Sequence, residues 1–170
     1  MLMFEDEAAF RQEPTMHRTW ARIGQQPQIF TYGKRNTQHV FGAIAIYLMK
    51  FFYQFAETCN AITYFKFLEY IVKKIYPSKI FLVKDNARYH KEEQIKLWCK
   101  DNKRYIECWF LPPYSPELNP MEPIWKYTRK QGTHNRFFGN TDELKHSIKT
   151  VFKSINRSPS AIQNYILPYK

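Results

Sequence analysis

The pattern of hydrophobic and polar residues changes its period part-way along the chain. The first third holds short apolar segments rich in aromatic and β-branched residues, which is typical of strands. These segments are LMFEDEAAF near the start, RTWARIG over residues 18–24, and the pair HVFGAIAIYL and FFYQFAE. Only Met49 and Lys50 separate the last two segments, so a β-hairpin is predicted there.

From residue 60 onward, segments with helical spacing alternate with apolar strands. In NAITYFKFLEYIVKKIYP the apolar residues recur every three or four positions, which predicts a helix that Asn60 caps and Pro77 ends. The residues of this apolar face are Ile62, Phe65, Leu68, Ile71, Val72 and Ile75. KIFLVK and YIECWF predict strands, and KEEQIKLWCKDN predicts a short helix between them. Two more helices are predicted, from about Asn119 to Lys130 and from about Thr141 to Asn156.

This order of elements predicts an α/β fold. The early strands have hairpin-length connections, whereas the later strands are separated by helices. Strands joined by short turns pair antiparallel, and strands joined through helices pair parallel. We therefore expect one mixed sheet, antiparallel first and parallel later, covered by helices.

Size and composition agree with a single packed domain. The chain has 170 residues, and 44% hydrophobic with 18% aromatic residues excludes a disordered chain. The odd number of cysteines and the absence of metal-ligand spacing among them favour a reducing compartment; they are Cys59, Cys99 and Cys108. No apolar run is long enough for a membrane span, and the first ten residues carry acids where a signal peptide needs bases. A cytoplasmic protein is expected.

The charge adds a second expectation. The net charge is +11, and residues 123–170 contain nine Lys or Arg and two acids, which is +7 of that total. A basic balance of this size indicates a polyanionic partner, most often nucleic acid. Lys145, Lys149 and Lys153 recur every four residues, which fits either a track for DNA phosphates or a solvated helix face. The candidate DNA contacts are Arg88, His90, Arg129, Lys130, Arg136, Lys145, Lys149 and Lys153, and Arg22, Lys34 and Arg35 are possible additions.

Three acids follow predicted strands or open a predicted helix. Asp6 and Asp85 come at the ends of apolar runs, and Glu122 lies in the first turn of a helix. Ligands gather at the carboxyl ends of strands in α/β sheets, so these side chains are expected to converge. Converging carboxylates need cations, and hard divalent ions such as Mg²⁺ prefer oxygen ligands. Two such ions about 3.5–4 Å apart activate a water and stabilise the leaving oxygen of a phosphodiester.

The segment FLPPYSPELNPMEPIW, residues 110–125, leads to Glu122 and is rich in proline. Proline fixes the backbone, so the segment is interpreted as a stiff strut that holds Glu122 in place. Local sequence also allows a simpler role, because Asn119 and Glu122 have the spacing of a helix cap and its capping-box acid. Asp6 and Asp85 are likewise compatible with ordinary turns. The residues alone leave both interpretations open.

The combination of FEDEAAF…RTWARIG, LVKDNARYH and LPPYSPELNPMEPIW resembles the catalytic domain of DDE transposases, in the mariner-related bacterial insertion-sequence branch. The resemblance runs from about residue 3 to about residue 140, and its last motif is the most specific. It implies a ribonuclease H-like fold in which Asp6, Asp85 and Glu122 bind two Mg²⁺ or Mn²⁺ ions. The implied activity is metal-dependent hydrolysis of DNA phosphodiesters and strand transfer in transposition.

The resemblance also carries expectations about partners and boundaries. DNA ends and target DNA are the implied substrates, and a homodimer is the implied assembly. Family members carry a helix-turn-helix region before the catalytic domain, whereas the first aspartate here is residue 6. We therefore expect residues 1–170 to form one catalytic domain without that region, which a separate subunit or frame would supply. The alternatives are an inactive remnant that binds DNA or a partner, and another ribonuclease H-like nuclease.

Residues near the three motifs receive individual expectations. Glu7 is a neighbouring acid of the site, Asn86 either contacts a metal-bound water or closes a turn, and Glu117 is the rival of Glu122. His90 is expected at the surface, as a phosphate contact or a helix cap. Trp20 and Trp125 are expected to be packing residues.

Overall fold

The computed structural model describes residues 1–31, 33 and 36–166. Within these residues the chain forms five strands and five helices around one mixed sheet. The strands are β1 (Leu2–Arg11), β2 (Thr37–Ala45), β3 (Lys50–Ala56), β4 (Ile80–Lys84) and β5 (Ile106–Phe110). The helices are α1 (Ala61–Ile75), α2 (Glu93–Asp101), α3 (Met121–Gly132), α4 (Thr141–Arg157) and α5 (Ser160–Ile166).

The strand order is β3-β2-β1-β4-β5, with β1 at the centre. β1 pairs antiparallel with β2, and β2 with β3, whereas β1–β4 and β4–β5 are parallel. The predicted mixed sheet and the β2–β3 hairpin are therefore confirmed. β1 pairs with β2 from Met3 to Arg11 but with β4 only from Leu2 to Phe4. Since β4 ends at Lys84, the sheet opens beside β1 just where Asp6 follows.

Helices cover both faces of the sheet, and each face has its own hydrophobic core. α3, α4 and α5 enclose one core with Ala8 and Phe10 of β1, whereas α1 and α2 enclose the other with Met3. Successive side chains of a strand point to opposite faces. Met3, Glu5 and Glu7 therefore lie on the α1/α2 face, and Asp6 lies on the α3/α4 face.

The helix boundaries follow the capping signals of the sequence. Asn60 Oδ1 accepts the N–H of Thr63 at 3.0 Å, while the Asn60 N–H donates to Thr63 Oγ1, so α1 begins where predicted. The buried face of α1 is rotated from the prediction, since Tyr64 and Phe67 are buried and Ile62 is 67% exposed. In α4 the apolar residues at helical spacing are all buried; they are Leu144, Ile148, Val151, Phe152 and Ile155. Among the described residues, no helix has the length and apolar composition needed to cross a bilayer.

One predicted strand is wrong. Residues 18–24 lie in a long connection between β1 and β2 that contains no strand among its described residues. Trp20 in this connection is 100% exposed, so its predicted packing role is also wrong. The alternation in RTWARIG is compatible with a strand, but none of the described strands pairs with this segment. Trp125, by contrast, is 2% exposed and packs as predicted.

Candidate active site

Asp6 is held in place by a tryptophan from the helix above it. The indole Nε1 of Trp125 in α3 donates to Asp6 Oδ2 at 3.1 Å. Trp125 itself packs edge-on against Phe10 and Phe51, with ring centroids 6.1 and 5.9 Å away. A side chain held by its neighbours keeps the carboxylate it donates to in one position.

Gly42 makes this arrangement possible. It lies directly opposite Asp6 in the β1–β2 pairing, below the Trp125 ring. A Cβ at this position would lie 2.5 Å from the Trp125 ring and 2.8 Å from Met121 Cε. Both contacts are shorter than packed atoms allow, so the absence of a side chain lets α3 approach the sheet. The approach brings the indole within reach of Asp6.

Asp85 comes immediately after β4 and is fixed by local hydrogen bonds. The N–H of Ala87 donates to Asp85 Oδ1 at 2.8 Å, and His90 Nδ1 lies 3.0 Å from the same oxygen. The hydrogen bond from His90 holds the pKa of Asp85 below its usual value, and the Ala87 N–H acts in the same direction. Asp85 is therefore an ionised carboxylate with a fixed orientation.

Glu122 lies in the first turn of α3, and its role as a capping-box acid is wrong. The Asn119 side chain bonds to the first turn, since its Oδ1 accepts the N–H of Met121 at 3.1 Å, but the cap position is Pro120, one residue later than predicted. The N–H of Asn119, which a capping-box acid would accept, donates instead to the carbonyl of Pro116 at 3.0 Å. The Glu122 carboxylate is therefore not used as a helix cap, and it lines the cleft instead.

These three acids line one cleft of about 460 Å³. The proline segment forms its other wall through Leu111, Pro112, Pro113, Tyr114, Ser115, Pro116 and Asn119. Asn86 fixes this wall, because its Nδ2 donates to the carbonyl of Leu111 at 2.6 Å. Asn86 thus ties the end of β4 to the proline segment, and the stiff segment borders the carboxylates as the sequence predicted.

The electrostatics of the cleft favour a bound cation. Burial raises the pKa of Asp6 to about 7, the charges of Glu7 and Glu122 act in the same direction, and the Trp125 hydrogen bond opposes them. The carboxylates gathered in this cleft are all negatively charged, and their oxygens are the ligands that hard divalent ions prefer. The residues present therefore fit a divalent metal centre.

Comparison with known sequences identifies the family. Residues 1–145 match the family described as DDE superfamily endonuclease. The chain belongs to this family. An insertion element IS630 uncharacterized 39 kDa protein of Shigella sonnei is 22% identical over 159 residues, covering 93% of this chain and 46% of that protein. The uncharacterized protein y4pE/y4sA of Sinorhizobium fredii (strain NBRC 101917 / NGR234) is 40% identical over 63 residues, covering 37% of this chain and 43% of that protein.

Solved structures support the same fold. A Mos1 mariner paired-end complex with Mn superposes with a TM-score of 0.73 at 15% identity, covering 99% of this chain and 52% of that one. The catalytic domain of Mos1 mariner transposase superposes with a TM-score of 0.59 at 12% identity, covering 99% and 81%. The resemblance to DDE transposases and the ribonuclease H-like fold are confirmed. The DDE chain spans about half the length of the curated relatives it matches.

The predicted basic residues of the DDE domain lie outside the cleft. Arg88, Lys130, Arg136, Lys145, Lys149 and Lys153 are exposed, and Arg129 is half-buried with its guanidinium 5.3 Å from the Phe10 ring centroid. Lys145 extends over Phe55 of the edge strand β3, at 5.2 Å from the ring centroid. Arg22 is exposed as well, whereas Lys34 and Arg35 lie outside the described residues.

His90 is the clearest correction. The sequence predicted a phosphate contact or a surface or helix-capping histidine, but the His90 side chain is 1% exposed and contacts Asp85. A buried ring cannot face a DNA phosphate, so the predicted phosphate contact is wrong. The structure gives His90 the task of orienting Asp85 instead.

Two residues of the site were missed by the sequence interpretation. Glu5 is completely buried on the far side of β1, and the alternation of a strand through Glu5, Asp6 and Glu7 was a signal for two separate environments. Tyr114 is 100% exposed on the cleft wall, with a positive φ of 57°. A bulky residue rarely adopts this conformation, and the local sequence contains no signal that predicts it.

Proposed function

We propose that this chain is the catalytic domain of a transposase, which hydrolyses a DNA phosphodiester and joins the freed 3′-hydroxyl to target DNA. One observation supports this proposal above the others. Asp6, Asp85 and Glu122 come from three separate elements and line one cleft, in a chain of the DDE endonuclease family. The same three acids are the metal ligands that the family motifs imply.

In this proposal Asp6, Asp85 and Glu122 hold two Mg²⁺ or Mn²⁺ ions. Bound ions of this kind make a water more nucleophilic and stabilise the oxygen that leaves the phosphorus. A bound cation would offset the burial and the neighbouring negative charges that raise the pKa of Asp6 to about 7. Similar structures of the Mos1 transposase catalytic domain were solved with Mg and with Mn.

The contribution of the chain itself is to fix three carboxylates. Trp125 orients Asp6, Ala87 and His90 orient Asp85, and the first turn of α3 carries Glu122. The proline wall, tied by Asn86 to the end of β4, limits movement of the cleft. A position error of about 1 Å lowers a reaction rate by about a hundredfold, so this rigidity has a catalytic use.

DNA is the proposed substrate, both as element ends and as target. The net charge of +11 favours a polyanion, and the exposed lysines of α4 provide phosphate contacts that do not read sequence. Mos1 transposase, whose fold this chain shares, has been solved as a paired-end complex with the left transposon end. A homodimer, a helix-turn-helix region supplied by another segment or subunit, and a cytoplasmic location complete the proposal.

The Asp85→Asn variant tests the proposal. We expect the wild-type chain to nick supercoiled DNA in Mn²⁺ and the variant to lose this activity to background, because a metal ligand is lost. Salt-sensitive DNA binding should stay nearly unchanged, since Asp85 carries no positive charge. Asp101→Asn, an exposed acid in α2, is the matched control and should retain cleavage. Cleavage by Asp85→Asn at the wild-type rate would refute the assignment.

A further inference from the structure

A second group of ligand-forming side chains lies behind the cleft, on the α1/α2 face of the sheet. Glu5 is 0% exposed, His90 is 1% exposed, and Glu7 is partly buried beside them. Among the described residues, both carboxylate oxygens of Glu5, Oε2 of Glu7 and Nε2 of His90 have no hydrogen-bond partner, and neither has the Tyr89 hydroxyl, which lies beside Glu7. Buried polar atoms are nearly always paired, so this concentration of unpaired atoms requires an explanation.

Within the described part of the chain, the buried lysine on this face forms no hydrogen bond with the cluster. Lys84 is the buried cation on this face, but its Nζ donates to the Tyr64 hydroxyl at 3.1 Å. Its charge acts on Glu5 without a hydrogen bond. An unpaired buried carboxylate is strongly unfavourable. A further positive centre between the side chains would remove this penalty.

The orientation of His90 determines what kind of centre fits. Its Nδ1 lies 3.0 Å from Asp85 Oδ1 and 3.3 Å from the Asp85 carbonyl, so Nδ1 carries the proton that it donates to these acceptors. In the neutral ring Nε2 then presents a lone pair to the cluster, 3.8 Å from Glu5 Oε2. A histidine that donates one nitrogen to a carboxylate and presents the other is the usual form of a metal-binding histidine.

The spacing of the three side chains suits one ion. One ligand atom from each of Glu5, Glu7 and His90 lies within 4.8 Å of the others. Ligands bound at about 2.0–2.2 Å lie at most about 4.4 Å apart across an ion, so a small rotamer adjustment closes the set. Two carboxylates with an imidazole favour Zn²⁺ or Mn²⁺ over Mg²⁺, because Mg²⁺ prefers oxygen ligands alone.

We propose that Glu5, Glu7 and Nε2 of His90 bind a single divalent transition-metal ion on the face of the sheet opposite the cleft. This site is separate from the proposed ligands Asp6 and Glu122, and it stands whether or not the cleft cleaves DNA. Its chemical role is structural. The ion neutralises two buried carboxylates and fixes the imidazole ring that orients Asp85.

Counting bound Mn²⁺ tests this site, because thiols bind this ion weakly and the electron paramagnetic resonance signal reports the free ion. The starting protein is the full chain, freed of metal by a chelator, with Asp6→Asn and Glu122→Gln to remove two ligands of the cleft. We expect this protein to bind one Mn²⁺ per chain, with a rise in melting temperature. Adding Glu7→Gln should abolish both the binding and the rise.

Matched variants keep the result interpretable. Glu5→Gln is a second isosteric change, and it serves if Glu7→Gln does not fold; Glu69→Gln, an exposed acid of α1, is the control and should leave one bound ion. Failure of the starting protein to bind Mn²⁺ would overturn the proposal, and so would undiminished binding after Glu7→Gln or Glu5→Gln. The first of these results would mean that a proton or a buried water serves the cluster. Neither result bears on cleavage by the wild-type cleft.

Discussion

The two faces of β1 place adjacent acids in opposite situations. Asp6 opens into a cleft of about 460 Å³, beside Glu122 and the proline wall. Glu5, one residue earlier, is sealed beneath α1 with both carboxylate oxygens unpaired. Ions and substrate can exchange between solvent and the open side. On the closed side, a cation or proton that neutralises the Glu5 carboxylate cannot exchange freely with solvent. Three consecutive acids therefore serve two sites because a strand alternates.

The largest effect should come from the open face, through Glu122→Gln. The two acids Glu117 and Glu122 belong to the same segment, but only Glu122 lines the cleft. We expect Glu122→Gln to reduce Mn²⁺-dependent DNA nicking by about a thousandfold or more, the loss of roughly 4 kcal/mol of transition-state stabilisation. Glu117→Gln should keep cleavage within a few-fold of wild type. A nicking time course measures both variants. Equal losses of cleavage rate would contradict the distinction between Glu122 in the cleft and Glu117 outside it.

The next effect concerns the packing behind the open face. Trp125 fills the core against Phe10, Phe51 and Phe152 and donates to Asp6, so Trp125→Ala should lower the free energy of unfolding by about 3–5 kcal/mol. Trp20→Ala should change it by about 0.5 kcal/mol or less, since its side chain is fully exposed. Urea unfolding of both variants measures the difference. A large loss for Trp20→Ala would mean that the connection after β1 packs against the domain.

The pH dependence of stability sharpens the comparison further. The pKa of Asp6 rises from 3.8 to about 7 on folding, so between these values the folded chain holds a proton that the unfolded chain has lost. Stability must therefore fall as the pH increases through this window, by roughly 2–4 kcal/mol from this group. In a chelating buffer, the Asp6→Asn variant should lack this part of the fall.

Metal ions provide the control for the same measurement. Millimolar Mn²⁺ should reduce the fall for the wild-type chain, because the ion binds only the ionised carboxylate. Thermal melts across the pH range, with chelator and with Mn²⁺, check both statements. Identical pH profiles of stability for wild type and Asp6→Asn would contradict the raised pKa of Asp6.

The smallest effect is expected at the mouth of the cleft. Tyr114 is fully exposed there, and an exposed aromatic ring beside the proposed DNA-cleaving site can stack on a base. Tyr114→Ala should weaken DNA binding by about 1–3 kcal/mol and leave the melting temperature nearly unchanged, since the side chain is fully exposed. Tyr47→Ala, another exposed tyrosine, should leave binding unaffected. Fluorescence anisotropy with labelled DNA separates the two outcomes.

Hydrophobic periodicity was sufficient for elements that bury one clear face. It predicted α4 and the β2–β3 hairpin, and the motif resemblance named three acids that the fold brings to one cleft. Periodicity was insufficient where the outcome depends on a distant partner. RTWARIG alternates like a strand yet has no strand to pair with, and His90 is buried because α1 and β1 enclose it. Local sequence contains neither of these neighbours.

The unequal pairing of β1 has a consequence for slow motions of the domain. Its ladder with β2 extends from Met3 to Arg11, but its ladder with β4 stops at Phe4. Amide protons within the longer ladder should exchange with solvent only when the whole domain opens. Asp6 thus stays anchored through β2 even during local openings, although β4 does not pair with β1 beyond Phe4.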